Sequence, residues 1–297
     1  MKANNGLHNK ALLHKEIIRK TYAQDQTVRL NFSDFYGIIC ALKTPGEAID
    51  MIEAMIFDLD GTFVRTETLK AISYARAAVE LGPERINEQD VIEAFKEVVG
   101  LSRQEVVLHL IECFGLENET KARMSEFDVQ TPWQAFVQIR IKIYESMLAD
   151  PLLIMKHRCP YNLDLLIWAR QRKFKTGLAT MSHRTQANRV LRILDILYEF
   201  DFLATRDDVN HGKPDPEIYL LIAREFNLDA GVCLVIEDSP SGVQAALAAG
   251  MRCIAVANDF TRPNIHASKL LDKRWIVDDP VDLKTVAKRY IQLYTQK

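Results

Sequence analysis

The sequence predicts an α/β protein: a mostly parallel sheet covered by helices on both faces, with a helical insert near its start. Three observations carry this. Short apolar runs recur from residue 54 onward, each ending in polar or turn-forming residues. Helical patterns separate successive runs, as βαβ units require. Between the first run and the second, the alternation gives way to a long stretch of helical pattern alone.

Residues 1–50 precede the alternating pattern and are read as an extension. Met1 to His8 is polar, and Ala11 to Ala23 spaces Leu12, Leu13, Ile17, Ile18 and Tyr22 as one amphipathic helix. Lys10, Lys15, Arg19 and Lys20 give it a basic face, but Glu16, Asp25 and the scarcity of serine argue against a transit peptide. No apolar segment precedes a small-residue cleavage site, so a signal peptide is not expected. The reading is an accessory helix or an upstream extension, with Met51 and Met55 as alternative starts.

The first strand is Ala54-Met55-Ile56-Phe57, buried on both faces because the run is continuous rather than alternating. Residues 67–154 form the insert, read as a helical cap of roughly four helices. Val106, Val107, Leu110, Ile111 and Phe114 recur at three- and four-residue spacing, as do Trp133, Phe136, Val137, Arg140, Ile141 and Tyr144. The later strands are Lys175–Thr180, Phe202–Ala204, Val232–Ile236 and Cys253–Ala257. Helices are expected over 184–197, 216–226 and 242–249. Residues 51–66 and 155–297 together make the core.

Composition limits what such a protein can do. Of 297 residues, 48% are apolar and 26% charged, which suits a folded globular chain. Lys plus Arg number 38 and Asp plus Glu 40, a net charge of −2, so no basic excess exists to hold nucleic acid. No apolar run approaches the ~18 residues of a spanning helix, so no membrane partner is expected. The five cysteines at 40, 113, 159, 233 and 253 form no Cys-x-x-Cys pair. They read as reduced thiols of a cytoplasmic protein rather than a disulfide framework or zinc site.

The chemistry concentrates at strand ends, where open parallel sheets bind ligands. Asp58-Leu59-Asp60-Gly61-Thr62 puts two carboxylates directly after the first strand, with a glycine permitting a sharp turn. Such a pair can hold Mg²⁺, or divide into an ionised nucleophile and a general acid/base. Ile236-Glu237-Asp238-Ser239 repeats the arrangement after a second apolar run. Between them stand Thr180, at the end of another strand, and Lys213 in Gly212-Lys213-Pro214-Asp215-Pro216. A hydroxyl and an ammonium suit the oxygens of a phosphoryl group. Ser239-Pro240-Ser241-Gly242 reads as a helix start, and His183 lies near the same edge.

These four motifs, in this order, resemble those of the haloacid dehalogenase superfamily over residues 54 to about 260. The insert and the small-residue helix after Asp238 are similar to its phosphoglycolate phosphatase and β-phosphoglucomutase branch. The resemblance implies a Rossmann-like core with a helical cap, and a chemistry. Asp58 would attack phosphorus and form an aspartyl-phosphate. Asp60 would protonate the leaving oxygen and then deprotonate water. Mg²⁺ would be held by the Asp58 side chain, the Asp60 carbonyl and Asp238, with Glu237 supporting the metal from behind. Thr180 and Lys213 would hold phosphoryl oxygens. Gly100-Leu101-Ser102-Arg103 resembles the cap segment that lays an arginine over the phosphate, which makes Arg103 a substrate-binding candidate.

The sequence departs from that branch at Arg65, where an aspartate is usual, and at about Lys70, where phosphomutases carry a histidine. The expected function is therefore a Mg²⁺-dependent phosphatase of a small phosphorylated metabolite. The alternatives are a β-phosphoglucomutase-like phosphomutase and a non-catalytic protein that binds phosphorylated metabolites.

Overall fold

The computed structural model of the chain describes residues 51–293 apart from Pro83 and Gly100. The helix expected at Ala11–Ala23, and the rest of the 1–50 extension, lie outside the described residues.

Six strands form one sheet: β1 (Ala54–Phe57), β2 (Lys175–Ala179), β3 (Phe202–Ala204), β4 (Cys233–Glu237), β5 (Arg252–Val256) and β6 (Ile276–Val277). Their order is β3-β2-β1-β4-β5-β6 and every pairing is parallel. Five of these strands match the expected runs to within one residue at each end. The sixth, β6, is two residues long, too short to leave a periodic signal in the sequence.

All four residues of β1 are buried, and they alternate between two cores. Met55 and Phe57 face one side of the sheet, Ala54 and Ile56 the other. β4 repeats this with Leu234 and Ile236 on the first side, Cys233 and Val235 on the second. Successive side chains of a strand point to opposite faces, so a strand covered on both sides reads as an unbroken apolar run.

Six α-helices follow β1 before the chain reaches residue 157: α1 (Thr66–Leu81), α2 (Glu88–Glu97), α3 (Arg103–Phe114), α4 (Glu117–Ala122), α5 (Pro132–Ala149) and α6 (Pro151–Lys156). About four were expected. The additional two, α4 and α6, have six residues each, and an apolar stripe needs more than two turns to show. Local chemistry sets α6: Pro151 takes the first helical position, and Asp150 Oδ1 accepts from the Leu152 and Leu153 amides. The larger helices share a core of their own, in which Tyr74 stacks on Phe95 at 5.2 Å beside Leu110, Phe136 and Ile139.

Helices α7 (Pro160–Gln171), α8 (Arg184–Ile193) and, last in the chain, α12 (Leu283–Leu293) cover the Phe57 side of the sheet through Leu165, Leu191 and Leu283. The other side is covered by α9 (Glu217–Phe226), α10 (Pro240–Ala248) and α11 (Arg262–Ser268), through Ile218, Ile222, Val243 and Ile265.

The strand order fixes where a ligand can sit. The chain builds β1, β2 and β3 outward in one direction, then returns to place β4 on the opposite flank of β1. Connections that leave β1 and β4 toward opposite sides open a crevice beyond their carboxyl ends. Phe57 pairs with Leu178 of β2 and Ile236 of β4, so the residues that follow each strand emerge close together.

Candidate active site

At the head of β1 the Asp58 amide donates to the Ile236 carbonyl at 3.0 Å, which prolongs the ladder by one residue and fixes the backbone under the carboxylate. Lys213 reaches the same place from the loop before α9. Its Nζ donates to Asp58 Oδ1 at 2.6 Å, to Glu237 Oε1 at 2.6 Å and to the Ala179 carbonyl at 2.9 Å. An ammonium has three protons, and all are used. The three side chains are 8% exposed or less. Burial works against the lysine's charge, but Asp58 and Glu237 outweigh it and hold the group well above the usual lysine range. The ring of Tyr219 lies 5.1 Å from Nζ and favours the same charge.

Glu237 accepts five hydrogen bonds. Lys213 and the Tyr219 hydroxyl, at 2.8 Å, donate to Oε1; the Asp238 amide, the Ser239 amide and the Ser239 hydroxyl donate to Oε2. Burial would raise its pKa, yet Lys213 and this set of donors bring it below the usual glutamate range. Asp238 is placed differently. Asn258 Nδ2 donates to its Oδ2 at 3.0 Å, and burial, then Asp58 and Glu237, push its carboxyl well up. Asp58 is also pushed up: burial dominates the pull of Lys213, and Glu237 and Asp60 add to it.

Asp58, Glu237 and Asp238 thus bring carboxylate oxygens within 4.8 Å of one another, all buried, and the Lys213 ammonium pairs with the first two. The donors are hard oxygens and the charge is negative in excess, which suits a small divalent cation. Two glycines make the crowding feasible. Gly61 turns the chain after β1 with φ +85°, and a Cβ there would lie 1.8 Å from Asp238 Oδ2. A Cβ on Gly242 would lie 1.8 Å from Glu237 Oε1. Ser239 caps α10 by accepting from the Gly242 amide at 3.1 Å, with Pro240 at the first helical position, as Ser239-Pro240-Ser241-Gly242 predicts.

Asp60 belongs to a second grouping. Its Oδ2 accepts from Thr180 Oγ1 at 3.0 Å and from Ser182 Oγ at 2.7 Å, while the Ser182 amide donates to Thr180 Oγ1 at 3.0 Å. The two hydroxyls tie the Asp60 carboxylate to the residues that follow β2. His183 pairs with Asp207 at 2.6 Å and is exposed. Arg103 opens α3, where Ser102 and Glu105 form a reciprocal cap. It lines a cavity of about 350 Å³ with Lys70, Arg140 and Ser239. Lys70 forms an ion pair with Glu67 at 2.7 Å in the same cavity.

Ser182, Tyr219, Asn258 and Arg140 were not singled out as site residues from the sequence. Asn258 carried a usable signal: it follows the apolar run of β5 as Asp58 follows that of β1. Ser182, two residues beyond Thr180, had a weaker one. Tyr219 and Arg140 lie within helical apolar patterns and read as core.

A family model described as haloacid dehalogenase-like hydrolase matches residues 52–250. Among curated proteins, a phosphorylated carbohydrates phosphatase of Thermotoga maritima is 30% identical over 203 residues, which is 68% of this chain and 84% of that one. A β-phosphoglucomutase of Bacillus subtilis is 29% identical over 69% of this chain and 83% of its own. Among solved structures, β-phosphoglucomutase from Clostridium difficile superposes with a TM-score of 0.55 at 27% identity, covering 82% of this chain and 97% of that one. With the motif order and the sheet topology, these matches place the chain: it belongs to the haloacid dehalogenase-like hydrolases.

Proposed function

We propose that this hydrolase is a Mg²⁺-dependent phosphatase that cleaves a small phosphorylated carbohydrate through an aspartyl-phosphate. The observation that carries the proposal is the setting of Asp58: one oxygen is tied to Lys213, and the carboxyl group is packed against Glu237 and Asp238 at the mouth of the crevice. A buried carboxylate in so negative a place fits a nucleophile that works beside a cation. Asp58, Asp238 and the Asp60 carbonyl would hold Mg²⁺, with Glu237 behind them bracing Lys213. The ion would offset the charge of the phosphoryl oxygens.

In the first step an Asp58 oxygen bonds to phosphorus as the bond to the substrate oxygen breaks. Asp60, in its acid form, gives that oxygen its proton. In the second step Asp60, now a carboxylate, takes a proton from water. The water oxygen bonds to phosphorus, and the bond to Asp58 breaks to release inorganic phosphate. Hydrogen bonds from Thr180 and Ser182 to Oδ2 leave Asp60 Oδ1 for the proton. Lys213 holds Asp58 in place and balances charge as the phosphoryl group arrives. Phosphoryl transfer depends on such positioning and neutralisation more than on unusual covalent chemistry.

Relatives named phosphorylated carbohydrates phosphatase and hexitol phosphatase B support a phosphorylated carbohydrate as the substrate class. A phosphomutase is the second reading, favoured by the likeness to β-phosphoglucomutases. The ion pair of Lys70 with Glu67 weighs against it, because the position where mutases carry a histidine is held here by a group kept charged. Phosphate release from a panel of sugar phosphates with Mg²⁺ tests the proposal. Release supports the phosphatase, isomerised sugar phosphate without release supports the mutase, and binding without turnover supports neither.

A further inference from the structure

The loop from β5 to α11 touches both the acid cluster and the cap. Asn258 stands near its start, and its Nδ2 donates to Asp238 Oδ2 at 3.0 Å. Among the described residues no other group donates to that carboxylate. Asn258 Oδ1 accepts from the Phe260 amide at 2.9 Å and the Thr261 amide at 3.1 Å. Because Oδ1 takes two backbone donors, the amide nitrogen faces Asp238. The Asn258 carbonyl accepts from the Arg262 amide at 2.9 Å, and the Asn258 amide donates to Thr261 Oγ1 at 3.3 Å. A tightly bonded turn therefore holds the one donor that Asp238 has.

Phe260 belongs to the same turn and packs against the cap. Its ring lies 6.2 Å from that of Phe95 on α2, at an interplanar angle of 63°, an edge-to-face contact. Phe95 in turn stacks on Tyr74 of α1 at 5.2 Å. The apolar core of the cap is otherwise built from residues 71–143, and among the described residues Phe260 is its only member from outside the insert. Asn258 and Phe260 are two residues apart and joined by a 2.9 Å hydrogen bond, so a displacement of the ring pulls on the amide.

The other two acids of the cluster do not share this dependence. Asp58 is fixed by the β1 ladder and by Lys213, and Glu237 by five donors. Mg²⁺ demands near-ideal octahedral geometry, so a loosened carboxylate holds it less well. The outer partners of metal ligands are commonly worth ~10–100-fold in affinity. Asp238 is thus the acid whose placement has the least support from the sheet and the most from a loop seated on the cap.

We propose that Asn258 is a positioning residue for Asp238, and that Phe260 makes the grip of Asp238 on Mg²⁺ depend on the cap. The inference rests on the reading that Asp58 and Asp238 hold Mg²⁺. A change at the contact between Phe260 and the cap then alters metal affinity, although Phe260 offers the ion no ligand. A purely structural role for Phe260 would lower the melting temperature and leave that affinity as it was.

The test is calorimetric titration of the full, substrate-free chain with Mg²⁺ alone, for the wild type, Asn258→Ser, Phe260→Ala and the double variant. Serine keeps an acceptor for the turn amides but is too short to reach Asp238. It should raise the Mg²⁺ Kd by ~10–100-fold. Phe260→Ala, with Asn258 intact, should raise it by at least about twofold. If Phe260 acts through Asn258, the double variant binds Mg²⁺ no more weakly than Asn258→Ser alone. Melting curves without metal show which variants fold; Asn258→Gln and Phe260→Leu replace any that do not, with the same expected directions. A wild-type Kd in either single variant, or a double variant that shows the product of the two single effects, overturns the inference and leaves the Mg²⁺ reading intact. No binding of Mg²⁺ by the wild type overturns the Mg²⁺ reading and the inference with it.

Discussion

The hydroxyl of Tyr219 donates to Glu237 Oε1 at 2.8 Å, the same oxygen that accepts from Lys213 at 2.6 Å. Tyr219 is fully buried, and its ring also lies below the Lys213 ammonium. One side chain therefore steadies both members of an ion pair. Tyr219→Phe should keep the ring and remove only the donor. We expect a loss of about 1.5–3 kcal/mol in stability, the usual value of a hydrogen bond to a charged group. Chemical denaturation checks this, and an unchanged midpoint would remove Tyr219 from that role.

The charge of the acid cluster gives a pH dependence. Asp58 and Asp238 carry raised pKa values in the folded chain, with burial the leading cause in both. A carboxyl whose folded pKa exceeds its unfolded value binds more protons when folded. The metal-free protein should thus lose stability as pH rises through the raised values, the reverse of an ion-paired aspartate. Mg²⁺ competes with those protons, so its stabilising effect should grow over the same interval. Melting curves at a series of pH values upward from about pH 4, the ordinary aspartate range, with Mg²⁺ and with chelator, measure both trends. A Mg²⁺ shift that shrinks as pH rises would contradict the assignment.

The pairing of Asp60 with Thr180 and Ser182 concerns the proton. If Asp60 is the acid and base, Asp60→Asn should slow turnover by ~10²–10⁴-fold with a sugar alcohol as leaving group. A nitrophenolate needs no proton, so formation of the intermediate should suffer less with that ester. Burst kinetics with both esters separate the two steps. Equal losses in the first step would show that Asp60 does not serve as the acid.

Arg103 stands at the start of α3 in the cavity wall rather than among the acids. Arg103→Ala should raise KM and lower kcat/KM for a sugar phosphate by about 1.5–3 kcal/mol. A small activated ester, which does not fill the cavity, should be affected less. Steady-state kinetics on both substrates check this, and identical losses on the two would place Arg103 outside substrate binding.

How much of this was legible beforehand follows from what each residue depends on. β1 and β4 could be read because both sheet faces are covered, which leaves unbroken apolar runs with acids directly after them. Thr180 and Lys213 could be read because they fall in sequence between those runs. The Tyr219 contact could not: Tyr219 occupies a buried position of α9 beside Ile218 and Ile222, and only the tertiary fold turns its hydroxyl to Glu237. Arg140 was hidden in the same way. It shares the apolar stripe of Phe136 and Val137 on α5, and its charge is tolerated there because Ser73, Tyr74 and Tyr144 surround it. β6 and the six-residue helices α4 and α6 were illegible because they are too short for periodicity to show.

The central claim is that Asp58 is the nucleophile. Its carboxylate is placed by the β1 ladder and by Lys213, and Asn is nearly isosteric with Asp, so Asp58→Asn should fold. The decisive measurement is the rate of phosphate release by wild-type and Asp58→Asn protein under the same Mg²⁺ conditions, with melting curves to confirm that both are folded. The account predicts release at the uncatalysed background for the folded variant, since an amide cannot form the bond to phosphorus. Release by folded Asp58→Asn at a rate near that of the wild type would contradict it.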